Sequence, residues 1–281
     1  MTQRQLLLRP DAATNNGFLY VLGEAAKRFG IIVLLPFVAG NHHHTIVYDP
    51  TGLIIEFVEH LHKFIAKVQN ALRGRWENLW SSEPPCIVEL ADRGDVIDKI
   101  VYAATNPVKD NLVERVHHWP GVNGLFSLLN GRAISARRPQ HFFRATGRMP
   151  ESVTLELTIP SVLGNADEIC AEIRERVAAF EAQAASERQR TGARVLGRRA
   201  ILEQDWRGCP SSTAPHRKLR PRLAAHDKAT RAAYLQRDRD FVAAYRAARQ
   251  RMLAGIPAVF PAGTYWLRRF ASVRVAESPA H

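Results

Sequence analysis

The stretch Asn41-His42-His43-His44-Thr45-Ile46-Val47 is the basis for predicting both the fold and the functional site of this chain. Its β-branched residues, and the Asp49-Pro50 turn signal that follows, predict a strand over residues 42–48. Because the side chains of a strand alternate between its faces, His42 and His44 point the same way, about 7 Å apart along the chain. Two imidazoles at that spacing can reach a single metal ion.

A second stretch, Tyr102-Ala103-Ala104-Thr105-Asn106-Pro107-Val108, closes a helical pattern that begins near Asp92. Tyr102 and Asn106 are four residues apart, which places them on one face of a helix. The helix should break near Asn106, because a residue that precedes a proline disfavours the helical conformation. We interpret the histidine strand and this helix as neighbours in the fold.

Hydrophobic periodicity on either side of the histidine strand predicts an alternation of strands and helices. In chain order these are a strand at 4–9, a helix from Thr14 or Asn15 to Phe29, strands at 31–35 and 42–48, a helix from Thr51 to Arg73, a strand at 87–90 and a helix from Asp92. This order matches a ferredoxin-like α+β fold, with helices on one face of an antiparallel sheet. In that arrangement the last helix crosses the exposed face of the histidine strand.

The character of the sequence changes after about Pro150. Alternation predicts a strand at 153–159, and helical spacing predicts helices from Asn165 or Asp167 to Gln189 and from His226 to Leu253. We therefore divide the chain into a domain at 1–150 and a basic, mostly helical C-terminal extension at 151–281, which is DNA-binding or structural. The Arg-rich run 188–222 is either a DNA-binding arm or a solvated linker.

The net charge, the hydrophobicity pattern and the cysteine content indicate the kind of partner and the cellular location of the protein. The 281 residues include 39 Lys and Arg against 27 Asp and Glu, a net charge of +12 that favours nucleic acid as partner. No apolar run of about 18 residues is present, so neither a transmembrane helix nor a membrane partner is expected. The N-terminus leads into only three leucines, too few for a signal peptide. Cys86, Cys170 and Cys209 form no disulfide or zinc pattern, which fits a cytoplasmic protein.

Both stretches resemble one enzyme family. His42-His43-His44 resembles the His-hydrophobe-His strand of the HUH single-strand DNA transposases. Tyr102 with Asn106-Pro107-Val108, Leu112-Val113 and Trp119-Pro120 resembles the REP-associated tyrosine transposases, and the paired likeness covers about residues 1–130. Two features depart from the pattern. The middle residue, usually apolar, is His43, and Ala39-Gly40 stands where relatives commonly have Met-Pro.

The resemblance implies that 1–150 is the catalytic domain of a metal-dependent single-stranded DNA endonuclease and strand transferase. Its tyrosine forms a 5′-phosphotyrosine intermediate, usually on hairpin-bearing DNA, and the protein is a monomer or a homodimer. Carried over by position, His42, His44 and Asn106 would bind Mg²⁺ or Mn²⁺, and Tyr102 would be the nucleophile. Tyr48, on the same strand face as the two histidines, is a rival nucleophile. The resemblance assigns no role to residues 151–281.

A basic and aromatic segment provides the candidate DNA contacts. Lys63, Lys67, Arg73, Arg75 and Trp76 can hold backbone phosphates and stack unpaired bases. The alternative is that Trp76 and Trp80 cover the core and that the charges form a solvated face. The competing function is a DNA-hairpin-binding protein that does not cleave. A metal hydrolase of small molecules fits the net charge of +12 poorly.

Overall fold

An antiparallel hairpin lies at the centre of the computed structural model, which describes Thr2 and residues 5–210 and 221–277. The fold is α+β. The helices and strands are α1 (Ala12–Phe29), β1 (Ile32–Val38), β2 (His43–Tyr48), α2 (Ile54–Arg73), β3 (Glu89–Leu90), α3 (Arg93–Lys109), α4 (Leu125–Leu129), β4 (Ile134–Arg137), β5 (Ser152–Leu155), α5 (Ala166–Thr191), α6 (Arg198–Glu203), β6 (Leu223–Ala224), α7 (Lys228–Leu253), β7 (Val259–Phe260), α8 (Tyr265–Phe270) and β8 (Arg274–Val275). None of the described helices is both long enough and apolar enough to cross a bilayer.

Strands β1 and β2 form the hairpin that carries the histidines. Val38 pairs with His43 and Phe37 with His44, and almost all of β1 is buried. The other edge of β1 also has partners, because Val38 N–H donates to Val122 O and Thr158 N–H to Val33 O. The described strands pair as four two-stranded sheets: β1 with β2, β3 with β6, β4 with β5 and β7 with β8.

Helices pack on both faces of this hairpin. The ring of His43 contacts Phe18 of α1 on one face, and on the same side His43 Nε2 lies 3.1 Å from His62 Nε2 of α2. The ring of the next residue, His44, contacts Tyr102 of α3 on the opposite face. Thus α1 and α2 share one face of the hairpin and α3 crosses the other, as predicted for the last helix. The predicted ferredoxin-like sheet with helices on one face is not confirmed, because the described strands pair only in twos.

Several local predictions differ from the structure. Residues 5–9 form a bend and a turn rather than a strand, and the start of the predicted strand lies outside the described residues. The consecutive Leu7 and Leu8 are both fully buried, whereas a strand would send them to opposite faces. Helix α1 is capped by Asp11, whose carboxylate accepts from Thr14 N–H, rather than by Thr14 or Asn15. Strand β3 pairs in parallel with β6 of the extension.

Helix α3 runs through Pro107 to Lys109 and does not break near Asn106. Proline lacks an N–H, but so near the C-terminus its cost is a single helical hydrogen bond to Ala103 O. Pro107 and Val108 are both buried, so packing offsets that loss. Tyr102 and Asn106 therefore stay on one continuous helix.

Among the described residues, a hydrophobic core extends on both sides of residue 150, the predicted domain boundary. Strand β5 pairs with β4, from Ile134 opposite Leu155 to Arg137 opposite Ser152. The predicted helix from residue 165 to Gln189 is confirmed as α5, and it packs on α3. Its buried residues, Ile169, Ile173 and Val177, are four apart and so form one stripe. The predicted helix from His226 to Leu253 is confirmed as α7.

A half-buried cluster of imidazoles and an indole joins β2 to α2. The ring of Trp80 lies 4.8 Å from His62 and 5.7 Å from His43, centroid to centroid, and its N–H donates to His62 O. Burial lowers the pKa of His43 well below its ordinary value and lowers that of His62 to about 4. Both rings are therefore neutral in the folded protein at neutral pH.

We expect the free energy of unfolding to fall as the pH drops below 6.5. The unfolded chain binds a proton on His62 near pH 6.5, whereas the folded chain binds it only near 4. The contribution of neutral His62 to the free energy of unfolding is therefore full above pH 6.5. It decreases by about 1.4 kcal/mol per pH unit as the pH falls from 6.5 to about 4. Urea unfolding at about pH 7.5 and about pH 5 measures this. The variant His62→Gln should show a shallower pH dependence, and equal slopes would contradict the prediction.

Candidate active site

His42 and His44 lie together on the α3 side of β2. Their ring centroids are 5.1 Å apart and nearly perpendicular, at 82°. Phe37 of β1 packs against both rings, at 6.5 Å and 6.2 Å. The alternation of side chains predicted this pair, and it also predicted that His43 faces the other side of the hairpin.

The side chain of Asn41 fixes the protonation of His42. Asn41 Oδ1 lies 2.8 Å from His42 Nδ1, and an amide oxygen can only accept a hydrogen bond. The proton of the neutral ring is therefore on Nδ1, and Nε2 keeps its lone pair. Metal-binding histidines in proteins are commonly oriented by such a contact to the second ring nitrogen. No role for Asn41 was predicted from sequence, although its position directly before the histidine pair was the available signal.

Both histidines are neutral at physiological pH. Burial and, to a smaller extent, the neighbouring His44 together lower the pKa of His42 to about 4. Burial is also the main cause that lowers the pKa of His44, with a smaller effect from Lys99. Only a neutral imidazole offers a lone pair to a cation, so both rings are in the state that metal binding requires.

Tyr102 faces this pair from α3. Its ring centroid lies 5.6 Å from that of His44, at an angle of 79°, and 44% of the residue is exposed. The ammonium groups of Lys99 and Lys109 lie 5.8 Å and 5.0 Å from the centre of the Tyr102 ring. A phenol, a histidine pair and two ammonium groups therefore meet at one accessible place.

The rival nucleophile lies elsewhere on the strand. Tyr48 pairs with Ile32 at the end of β2 opposite to His43. It is four residues beyond His44, about 13 Å along a strand. Tyr102, by contrast, contacts the His44 ring directly.

Asn106, one helical turn beyond Tyr102, is 5% exposed. Its side-chain oxygen is buried and has no hydrogen-bond partner among the described residues. A buried acceptor without a partner costs about 1–3 kcal/mol, a cost that a bound cation would remove. By donor type, two neutral imidazoles and an amide oxygen are ligands that Mg²⁺ or Mn²⁺ can accept. Within the described ranges no three His, Cys, Asp or Glu side chains converge as metal ligands, so a site here depends on Asn106.

The residues after Asn106 hold α3 against the hairpin. Trp119 N–H donates to Val38 O, which anchors the end of β1 opposite His43. Asn123 donates its amide N–H to Ala104 O, in the turn of α3 between Tyr102 and Asn106. A Cβ on Gly124 would lie 2.5 Å from the Pro36 side chain, so only glycine fits this approach to β1. The Trp-Pro motif therefore has a positioning role here, and the role of Asn123 was missed from sequence.

Of the five predicted DNA-contact residues, three have exposed side chains and two are already hydrogen-bonded within the protein. Lys63 and Lys67 are exposed on α2, and Trp76 is 90% exposed in the loop after it. Arg73 instead donates to Asp11 and Thr14 at 2.7 Å and 2.9 Å, and Arg75 donates to Gln5 at 2.7 Å. Since these arginines already have intramolecular partners, we retain only the lysines and Trp76 as candidates. They belong to α2 and its following loop, and α2 packs on the hairpin face opposite to Tyr102.

The chemistry of this site suits an anionic ester. The lysine ammonium groups can hold a phosphate, the phenolic oxygen can act as a nucleophile, and the two imidazoles with the amide oxygen can hold a divalent cation. Searches against family models, curated proteins and solved structures found no match to this chain.

Proposed function

We propose that this protein is a metal-dependent single-stranded DNA endonuclease and strand transferase of the REP-associated tyrosine transposase type. The observation that carries the proposal is the contact of Tyr102 with His44, beside His42 and one turn before the unpaired oxygen of Asn106. The net charge of +12 supports a DNA substrate. The likeness to the transposase motifs supports hairpin-bearing DNA.

In the proposed reaction the phenolic oxygen of Tyr102 attacks a backbone phosphorus. The bond between phosphorus and the 3′ oxygen breaks, the phenol loses its proton, and the departing 3′ oxygen gains one. The strand then has a free 3′ hydroxyl and a 5′ phosphate esterified to Tyr102. Attack by a 3′ hydroxyl on this ester reseals the strand without ATP, because the ester bond is conserved throughout.

The neighbouring side chains assist by charge and position. Lys99 and Lys109 flank the Tyr102 ring, where they can bind the phosphate and offset the negative charge that develops on it. His42, His44 and Asn106 are the ligands we propose for Mg²⁺ or Mn²⁺, which when bound neutralises phosphate charge and orients the scissile bond. Asn41 keeps the Nε2 lone pair of His42 available.

The proposal extends to the finer architecture. We propose that the hairpin is the centre of a reduced ferredoxin-like sheet, with the chain near Val122 and Thr158 along the edge of β1 that does not pair with β2. The element order α1, β1, β2, α2 supports this view. We also propose a cytoplasmic location, supported by three free cysteines at Cys86, Cys170 and Cys209.

Covalent capture tests the proposed function. The full chain is incubated with Mn²⁺ and single-stranded DNA from either side of its own gene, and a denaturing gel reports any protein–DNA adduct. We expect an adduct that chelator removes and that His42→Ala lacks. Tight, salt-sensitive binding without any adduct, unchanged by chelator, would instead identify a hairpin-binding protein that does not cleave.

A further inference from the structure

A groove of 610 Å³ opens beside Tyr102, between α3 and the C-terminal extension. One wall consists of the face of α3 that carries Lys99, Tyr102 and Lys109. The opposite wall comes from α5, through Arg176 and Phe180, and from residues 223–231 at the start of α7. We call this space the extension groove. It places residues of the extension beside the candidate nucleophile, although the resemblance assigns no role to residues 151–281.

The extension groove carries an excess of positive charge. Its lining includes the basic residues Lys99, Lys109, Arg176 and Arg231, and the carboxylates Asp95 and Asp98. Asp98 is already neutralised, because Arg176 and His226 both contact it. Asp95 is buried, and burial raises its pKa. Within the described part of the chain, Lys99, Lys109 and Arg231 form no salt bridge with a carboxylate and so are available to an anion.

The outer wall of the extension groove is held in place by specific contacts. Leu223 and Ala224 pair in parallel with Glu89 and Leu90, directly before α3. Arg237 of α7 makes two hydrogen bonds to the carboxylate of Glu89. The wall is therefore an ordered part of the fold, because it is attached to β3, the strand directly before the helix that carries Tyr102.

We propose that the extension groove binds the single strand of DNA that flanks the scissile phosphate, with Lys109 and Arg231 on its backbone. This inference rests on the proposed function, because it places the bound strand next to the Tyr102 hydroxyl. Unpaired cations match backbone phosphates, and the apolar Phe180 and Leu223 in the same lining offer surfaces for unpaired bases. Such a combination of charge and apolar surface suits a single strand better than a duplex, whose bases are stacked inside.

Photocrosslinking in the full chain tests this site without requiring cleavage. A photoreactive amino acid replaces Ala225, which lines the groove, in a Tyr102→Phe background, and the probe is labelled single-stranded oligothymidylate. We expect a crosslink that rising salt weakens. A photoreactive residue at exposed Ala243 of α7, outside the lining, is the control and should crosslink much less.

A matched pair of charge reversals measures the contribution of the groove. Arg231→Glu should weaken oligothymidylate binding about tenfold and reduce the salt dependence by about one phosphate contact. Arg249→Glu, on the same helix and equally exposed but outside the groove, makes the same charge change and should have a much smaller effect. Arg231→Lys should restore most of the binding, which separates lost charge from a folding defect.

The outcomes separate this inference from the proposed function. Suppose that Ala225 crosslinks to DNA but that Tyr102 forms no adduct in the wild type. This result would support the extension groove as a binding site for single-stranded DNA and would contradict the proposed nuclease activity. Conversely, suppose that the wild type forms an adduct while Ala225 gives no crosslink and Arg231→Glu and Arg249→Glu have equal effects. That result would contradict DNA binding in the extension groove but would still support the proposed nuclease activity.

Discussion

Replacing Tyr102 with phenylalanine is expected to abolish the covalent protein–DNA adduct, a fall of about a thousandfold or more. The change removes only the hydroxyl that is to attack the phosphate. The ring that contacts His44, Lys99 and Lys109 is kept, and the residue is 44% exposed, so the fold should be unaffected. Binding of single-stranded DNA should persist at close to wild-type affinity. Denaturing gels give the adduct and fluorescence anisotropy gives the binding.

Tyr48→Phe is the matched control for that experiment. It removes a hydroxyl from the rival tyrosine on β2, and we expect normal adduct yield because Tyr48 lies at the far end of the strand from His43. An adduct that survives Tyr102→Phe but disappears in Tyr48→Phe would reverse the assignment. Loss in both variants would show that neither phenol alone explains the chemistry.

The sequence predicted the elements that depend on local periodicity. The helices α1, α2, α3, α5 and α7 and the hairpin all lie close to their predicted ranges. Each of them has a buried stripe or a β-branched run except α7, in which only Ala248 is buried. The first strand and the break near Asn106 were wrong because longer-range packing prevailed over local preference. Leu7 and Leu8 are buried in a turn, and the buried Pro107 is tolerated within the last turn of α3.

The site was only partly predictable for a similar reason. The pairing of His42 with His44 follows from strand alternation, and the structure places Tyr102 against that pair. Lys99 and Lys109 were missed, although spacings of three and seven residues from Tyr102 put them on its helix face. The intramolecular partners of Arg73 and Arg75 could not be foreseen, because Asp11 and Gln5 are distant in sequence.

The extension shows where periodicity carries no information. Strands β3 and β6 have two residues each and lie more than a hundred residues apart in the sequence. No local sequence pattern therefore predicts that they pair. That pairing nevertheless forms the outer wall of the extension groove. A hydrophobic core that continues from α1 to Ile201 likewise joins the predicted catalytic domain to the extension. Function at Tyr102 is therefore expected to depend on both parts of the chain.

Asn106→Leu is expected to stabilise the metal-free protein while it abolishes the response to Mn²⁺. The buried oxygen of Asn106 has no hydrogen-bond partner among the described residues, and leucine of similar size removes that acceptor. The free energy of unfolding without metal should rise by about 1–3 kcal/mol. In the wild type, Mn²⁺ at about 100 times its dissociation constant should add about 2.7 kcal/mol, which the variant should lack.

Urea unfolding in chelator and in Mn²⁺ measures both effects without reference to cleavage. Asn130→Leu, at the end of α4, is the control and should keep the full response to Mn²⁺. A metal-free variant less stable than the wild type would mean that Asn106 stabilises the fold, and an unchanged Mn²⁺ response would remove it from the ligand set. A gain of stability together with loss of the Mn²⁺ response is the combination that a ligand role predicts, because a buried oxygen without a protein partner lowers stability until a cation binds it.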